Sequence, residues 1–370
     1  MSKAAELANL IGNINAGGGG VNRNVIINGA MNVAQRGTSS TGLGASSGYF
    51  TLDRFKMVCN NTAGRFTMTQ DSSAPDGFAN SLKLACTTAD TSIASNEEFG
   101  ILYRMEGQDL QHFKKGTSSA YPTTLSFYVK GNASATYVAE LMDSDNSSRH
   151  IGATFNVTTD WTRVEITFPG DTTGALDDDA NASLDLQFFL HAGSNNTSGT
   201  LQTSWGALAQ TNRAVGISSF FDSTSRTFFI TGVQLEVGQN PTEFEHESFE
   251  RTLSKCQRYF FQEDTDADNV GGRIGVASGT VNVTIPYDMP VPMRTKPSLS
   301  LTNVSIRVGD MVAEGINTNS GTINANTYHG HQKATVTLGG FSGLTNYRTY
   351  LHEPRTSDNM NGIIKFDAEL

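Results

Sequence analysis

Short segments with apolar side chains at every second position fill most of this chain, and no other feature limits its fold as strongly. Within residues 23–248 they are VIING (Val25–Gly29), YFTLDRFKMVC (Tyr49–Cys59), GRFTMTQ, NSLKLAC, TTLSFYVKG, TYVAELMD, HIGATFNV, TRVEITFP, LDLQFFLHAG and RTFFITGVQLEV. Period two is the signature of a half-buried β-strand. In Tyr49–Cys59 the alternation changes parity near Asp53. The intervening stretches are dense in Gly, Asn, Asp, Ser and Thr, the residues of tight turns. No amphipathic helix longer than two turns interrupts the series. Many short antiparallel strands without helices imply a sandwich of the jelly-roll type.

The rest of the chain divides around this domain. Ala4, Leu7, Ile11 and Ile14 follow a 3-4-3 spacing, an a/d seam. A helix that short is marginal in water and needs a partner. Four glycines, Gly17 to Gly20, follow as a hinge, so residues 1–22 read as an anchor helix and hinge. Phe249, Leu253, Cys256 and Phe260 are spaced 4-3-4 behind Ser248, an N-cap residue. They predict a connecting helix over residues 249–261, its stripe facing a domain surface or a symmetry mate. Residues 262–370 return to strand periodicity in GRIGVASGTVNVTIPY, KPSLSLTNVSIRV and NGIIKFDAEL. The expected fold class is all-β: a large jelly-roll-like sandwich, a short helix and a smaller C-terminal β-domain, preceded by the anchor helix.

Charge and cysteine usage exclude several functions. The formal net charge is -10, and no basic run is interleaved with aromatics, so no nucleic-acid partner is expected. Cys59, Cys86 and Cys256 are far apart in sequence. They make neither a zinc-ligand pair nor a disulfide framework. Asn9, Gly12 and Asn13 interrupt the N-terminal apolar residues, so neither a signal peptide nor membrane insertion is expected.

Candidate chemistry is sparse. Glu236 shares a strand face with Gln234, but glycoside cleavage needs a second carboxylate, and none is identifiable. Glu243, Glu245 and Glu247 alternate after Pro241 as one solvated side of a connector. His246 has no matched nucleophile, and no catalytic residue is assigned. Asp143 and Asp145 could hold calcium, or simply shape a hairpin turn. Asp264, Asp266 and Asp268 resemble the start of a calcium loop, but Asn269 stands at its sixth position and Gly275 at its twelfth. His329 and His331 share one side of a strand; three chains about an axis would bring six imidazoles to an axial metal. No other cofactor is expected. Trp161, at the start of a strand, reads as core. Trp205 lies in a long polar loop and, with Tyr121, Asn195 and Asn196, could form a glycan-binding tip.

Four blocks occur in order: NVIINGAMNVAQRGTS (Asn24–Ser39), YFTLDRF (Tyr49–Phe55), LSFYVKG (Leu125–Gly131) and FFITGVQLEVGQNPTEFEHESFERTLSKCQRYF (Phe228–Phe260). The chain ends FDAEL (Phe366–Leu370). In these blocks the sequence resembles the tail-fibre proteins of bacteriophages, over about residues 24–260 and the end. The loops between the blocks match nothing, and the chain lacks a long shaft. The resemblance implies a carbohydrate-binding-like jelly roll in a homotrimeric virion fibre or spike, on the phage tail or capsid surface and assembled in the host cytoplasm. It further implies attachment to other virion structural proteins through the N-terminus and host attachment by receptor binding to surface polysaccharide. The connecting-helix stripe would then lie at the trimer or domain seam. Adhesion without catalysis is the expected function. The alternatives are a capsid decoration or tail adaptor that binds no receptor, and a polysaccharide depolymerase.

Overall fold

The computed structural model of the protein describes residues 2–15, 22–264, 273–302, 306–310, 313–318, 323–328, 332–353 and 363–370. The chain forms two compact units that divide between Thr252 and Leu253, with Leu370 counted in the first. The described residues are mostly strand, arranged in four antiparallel sheets. None of their helices is long and apolar enough to cross a membrane.

The first unit begins with helix α1 (Lys3–Asn15). Ala4 on it is exposed, as are Leu7 (57%) and Ile11 (49%), so none of the described residues covers that part of the stripe. The side chain of Ile14 lies outside the described set. The sandwich follows, with strands β1 (Ser39–Leu43), β2 (Lys56–Asn60), β3 (Arg65–Asp71), β4 (Ser81–Thr88), β5 (Glu98–Glu106) and β6 (Thr123–Gly131). It continues with β7 (Ala135–Asp143), β8 (Arg149–Val157), β9 (Thr162–Phe168), β10 (Ala182–Ala192) and β11 (Thr227–Val237). One sheet has the order β1-β3-β4-β11-β6-β9 and the other β2-β5-β10-β7-β8.

Alternation places the core. On β10, Leu184, Leu186, Phe188 and Leu190 point between the sheets, which leaves Asp185, Gln187, Phe189 and His191 on the outer face. Phe127 meets Phe155 and Phe188 edge-on, each at 5.1 Å between ring centres, a favoured aromatic geometry. On β11 the inward set steps from Ile230 to Val233, a spacing of three. The extra residue is absorbed at a register slip between Thr231 and Gln234, where Gly232 has φ +63°.

Two sequence expectations fail near the start. Val25–Gly29 is not a strand but an extended segment leading into a turn. Asn28 adopts φ +63° and organises that turn. Its amide donates to the carbonyls of Val33 (2.9 Å) and Asp53 (3.1 Å), and its Oδ1 accepts the N–H groups of Asn32 and Val33. The parity shift at Asp53 marks a break, and β2 begins only at Lys56. The buried Asp53 carboxylate accepts the Gln35 backbone N–H at 3.2 Å.

The connector after β11 is tied down rather than solvated. The Glu245 carboxylate accepts the backbone N–H groups of Asn22 (2.6 Å) and Asn24 (3.0 Å), and Val25 N–H donates to Leu235 O. Glu236 is fully buried and accepts both the N–H and the hydroxyl of Thr242 at 2.8 Å. Of the three alternating glutamates, Glu243 alone is wholly solvated, at 93% exposure.

The second unit holds strands β12 (Phe260–Asp264), β13 (Ile274–Ala277), β14 (Val283–Asp288), β15 (Ser298–Thr302) and β16 (Ile306–Asp310). After these come β17 (Ala313–Thr318), β18 (Ile323–Tyr328), β19 (Lys333–Leu338), β20 (Thr349–Glu353) and β21 (Ile363–Asp367). They make one sheet of order β12-β21-β15 and another of order β17-β16-β20-β13-β14-β19-β18. Ile285, Tyr287, Val336, Leu338, Ile364 and Phe366 form its core. Asp266, Asp268, His329 and His331 lie outside the described residues.

The connecting helix covers Phe249–Gln257, and Phe260 already opens β12, which corrects the expected span of residues 249–261. The expected stripe also splits. Cys256 (0% exposed) and Phe260 (2%) are buried within the chain, Leu253 is half-buried and Phe249 is 56% exposed. The buried pair is therefore unavailable to a neighbouring chain.

Candidate functional site

The long segment between β10 and β11 folds back over the outer face of the five-stranded sheet, and it carries Trp205. Its anchor is Arg213. The Arg213 Nε lies 3.1 and 3.0 Å from the two Glu140 oxygens, and Nη2 donates to Glu140 (2.5 Å) and to Gln187 Oε1 (3.2 Å). Strand pairing sets Glu140 of β7 beside Gln187 of β10. The guanidinium also stacks 4.9 Å from the centre of the Phe189 ring. His150 completes the group. Ala209 N–H donates to His150 Nε2 at 3.3 Å, so Nδ1 carries the proton it gives to Glu140 at 2.7 Å. Gly206 exchanges both backbone hydrogen bonds with His150.

These contacts set Trp205 at one end of the sandwich. Its indole N–H donates to Pro169 O at 2.7 Å. Beside it is a shallow pocket lined by Trp205, Tyr121, Lys115, Pro169, Asp171 and Leu184, among others. Tyr121 accepts a hydrogen bond from Lys114 Nζ at 2.7 Å, and that ammonium lies 4.4 Å from the ring centre. Partly buried rings with polar groups at their edges suit a saccharide, which stacks an apolar ring face and hydrogen-bonds through its hydroxyls.

Beneath Trp205 the cation is built in. Lys115, with its side chain 6% exposed, is surrounded by Asp143, Asp171 (3.1 Å), Thr173 O (3.0 Å) and Gly174 O (2.8 Å). Its ammonium lies 5.5 Å from the Trp205 ring centre. Burial pushes the Asp171 carboxyl up, but bonds from Arg149, Thr173 N–H and Lys115 outweigh it and hold the group below its usual range. Asp143 contacts this ammonium, and Asp145 accepts Asp177 N–H at 2.9 Å.

Trp205 and Tyr121 thus converge as the sequence suggested, but Asn195 and Asn196 do not join them. They sit on α2 (Ser194–Thr197), just past the Ala192 end of β10, whereas the pocket beside Trp205 reaches Leu184 near the other end of that strand. Asn195 N–H is tied to Ser95 O, and the buried Asn196 accepts from Gln210 at 2.6 Å. Trp161 is also corrected. It lies outside the sandwich core, edge-on to Phe229 at 6.1 Å, with Lys130 Nζ 5.5 Å from its ring centre. Sequence reasoning missed Lys115, Glu140, His150 and Arg213. Lys115 meets Asp143 and Asp171, and Arg213 meets Glu140, across segments far apart in the chain, so no sequence spacing announces them.

No family model matches the sequence, and no curated protein matches it. Among solved structures, the chain is similar to a family 4 carbohydrate-binding module, at 12% identity over 57% of this chain and 97% of that one, with a TM-score of 0.30. It is similar to the enzymatically active domain of tailspike protein 4 of bacteriophage CBA120, at 10% identity and TM-score 0.30, covering 58% of this chain but only 21% of that one. It is also similar to the family 11 carbohydrate-binding module of a cellulosomal cellulase of Clostridium thermocellum, at 13% identity over 56% and 98% of the two chains, with a TM-score of 0.27.

Proposed function

We propose that this protein is a phage fibre or spike that binds host surface polysaccharide without cleaving it, and that the Trp205–Tyr121 pocket contacts the sugar. The convergence of these two rings on one pocket at a loop end of the sandwich carries the reading. One such site binds weakly, and three in a homotrimer gain avidity without any new contact. The uncovered Leu7 and Ile11 of α1 support a helix that docks on another virion protein or on copies of itself. The commitment of Glu236 to Thr242 supports binding over hydrolysis.

The test is binding of the full-length protein to host cells and to their isolated surface polysaccharide, with molar mass by light scattering. A trimer is expected. Trp205→Ala should weaken polysaccharide binding roughly 30-fold, the size of a truncated aromatic hot spot, with Tm little changed. Undiminished binding in both Trp205→Ala and Tyr121→Ala would overturn the pocket. New reducing ends in the polysaccharide would overturn the non-enzymatic reading, and no binding to any host surface would leave a decoration or adaptor role.

A further inference from the structure

A different cluster lies toward the Ala192 end of β10. Asp90 (5% exposed), Glu97 (4%) and His191 (0%) bring two carboxylate oxygens and an imidazole nitrogen within 4.8 Å of one another. The groups come from three places: the segment after β4, the residue before β5, and β10. His191 Nε2 is 2.9 Å from Glu97 Oε2.

The three donors face one another in the interior, and among the described residues no Lys or Arg makes an ion pair with Asp90 or Glu97. We propose that Asp90, Glu97 and His191 bind one divalent first-row transition cation, zinc foremost. One imidazole with two carboxylates is a zinc-type donor set, and the imidazole selects against calcium and magnesium. Around zinc, bonds of about 2.0–2.1 Å place neighbouring ligand atoms about 3.3 Å apart, so the 2.9 Å Nε2–Oε2 separation needs only a small opening.

The surroundings match what metal ligands require. Ser219 Oγ lies 2.7 Å from His191 Nδ1, the partner that fixes the ring and leaves Nε2 for the metal. Asp90 is held by Thr62 Oγ1 (2.9 Å) and Ala63 N–H (2.7 Å), and Glu97 Oε1 by Ala94 N–H (2.8 Å). Bound there, the ion cross-links three chain segments of the sandwich. This inference does not depend on the glycan pocket.

The experiment uses the full-length protein, purified without chelator for elemental analysis, then stripped and titrated with Zn²⁺, Mn²⁺, Co²⁺ or Ca²⁺. About one transition ion per chain is expected. Zn²⁺ at a hundredfold excess over its dissociation constant should raise Tm by about 5–10 °C, and Asp90→Asn and Glu97→Gln should abolish the rise. In case these variants do not fold, the visible spectrum of the Co²⁺-loaded wild type decides independently: nitrogen and oxygen ligation is expected. A thiolate charge-transfer band would put the ion at a cysteine and overturn the assignment. A stabilisation retained in both variants, a response to Ca²⁺ alone, or a Tm indifferent to every metal would overturn it too.

Discussion

Replacing Arg213 with Met tests how the Trp205 segment is held. Glu140 is fully buried and Arg213 is 7% exposed. Removing the guanidinium strands a carboxylate in the interior with only His150 beside it. Breaking a buried pair from one side costs about 3–5 kcal/mol. For a unit of this size that lowers Tm by about 6–20 °C. The paired replacement, Glu140→Leu with Arg213→Met, should recover most of the loss, because it leaves no unpaired charge. Urea unfolding followed by tryptophan fluorescence measures all three proteins. A single-variant loss below about 1 kcal/mol, or a double variant no better than the single, would refute the reasoning. Polysaccharide binding should fall with the single variant as well, since the same segment presents Trp205.

Other outcomes follow from the same geometry. Burial lifts the Asp185 carboxyl to about 6 against the pull of Arg104 and Arg213. A folded-state value above the unfolded one makes this contribution complete below about pH 4 and lost as pH rises through about 6. Asp185→Asn should therefore stabilise the protein by about 1–3 kcal/mol at pH 7.5 and flatten the pH 4–6 dependence; a variant less stable at pH 7.5 contradicts this. Gly232→Ala should cost about 1–3 kcal/mol, because the residue has φ +63° and its new Cβ would lie 2.8 Å from the Phe78 ring and 3.0 Å from Tyr128; an unchanged urea midpoint argues otherwise. Burial pushes the Cys59 thiol up to about 12 despite Arg65, so the native protein should resist a thiol reagent at pH 8 and react after unfolding. Rapid native labelling of Cys59 would contradict its burial.

The strands with one polar face were legible. TTLSFYVKG is β6 to the residue, because its alternation matches its two environments. β5 was not, although it pairs with both β2 and β10. Its FGILYRM run is buried on both faces, so it shows no period two. At Trp161 one step of parity separates core from outer face, and a tryptophan suits either. Trp205 and Tyr121 could be linked because both are aromatic in polar loops. The Lys115 ammonium and the Arg213 anchor could not, since each depends on contacts between segments far apart in the chain. The connector glutamates misled for the same reason: Glu245 is 221 residues from the N–H of Asn24 that it binds.

That last contact has a mechanical consequence. The chain enters and leaves the sandwich at one place, where Asn22, Asn24 and Glu245 meet. A pull transmitted along the backbone from residue 22 to residue 246 is carried by this short clamp and does not run through the eleven strands between them. The sandwich hangs beside the line of tension, so its sheets and the Trp205 pocket keep their shape under load for as long as the clamp holds.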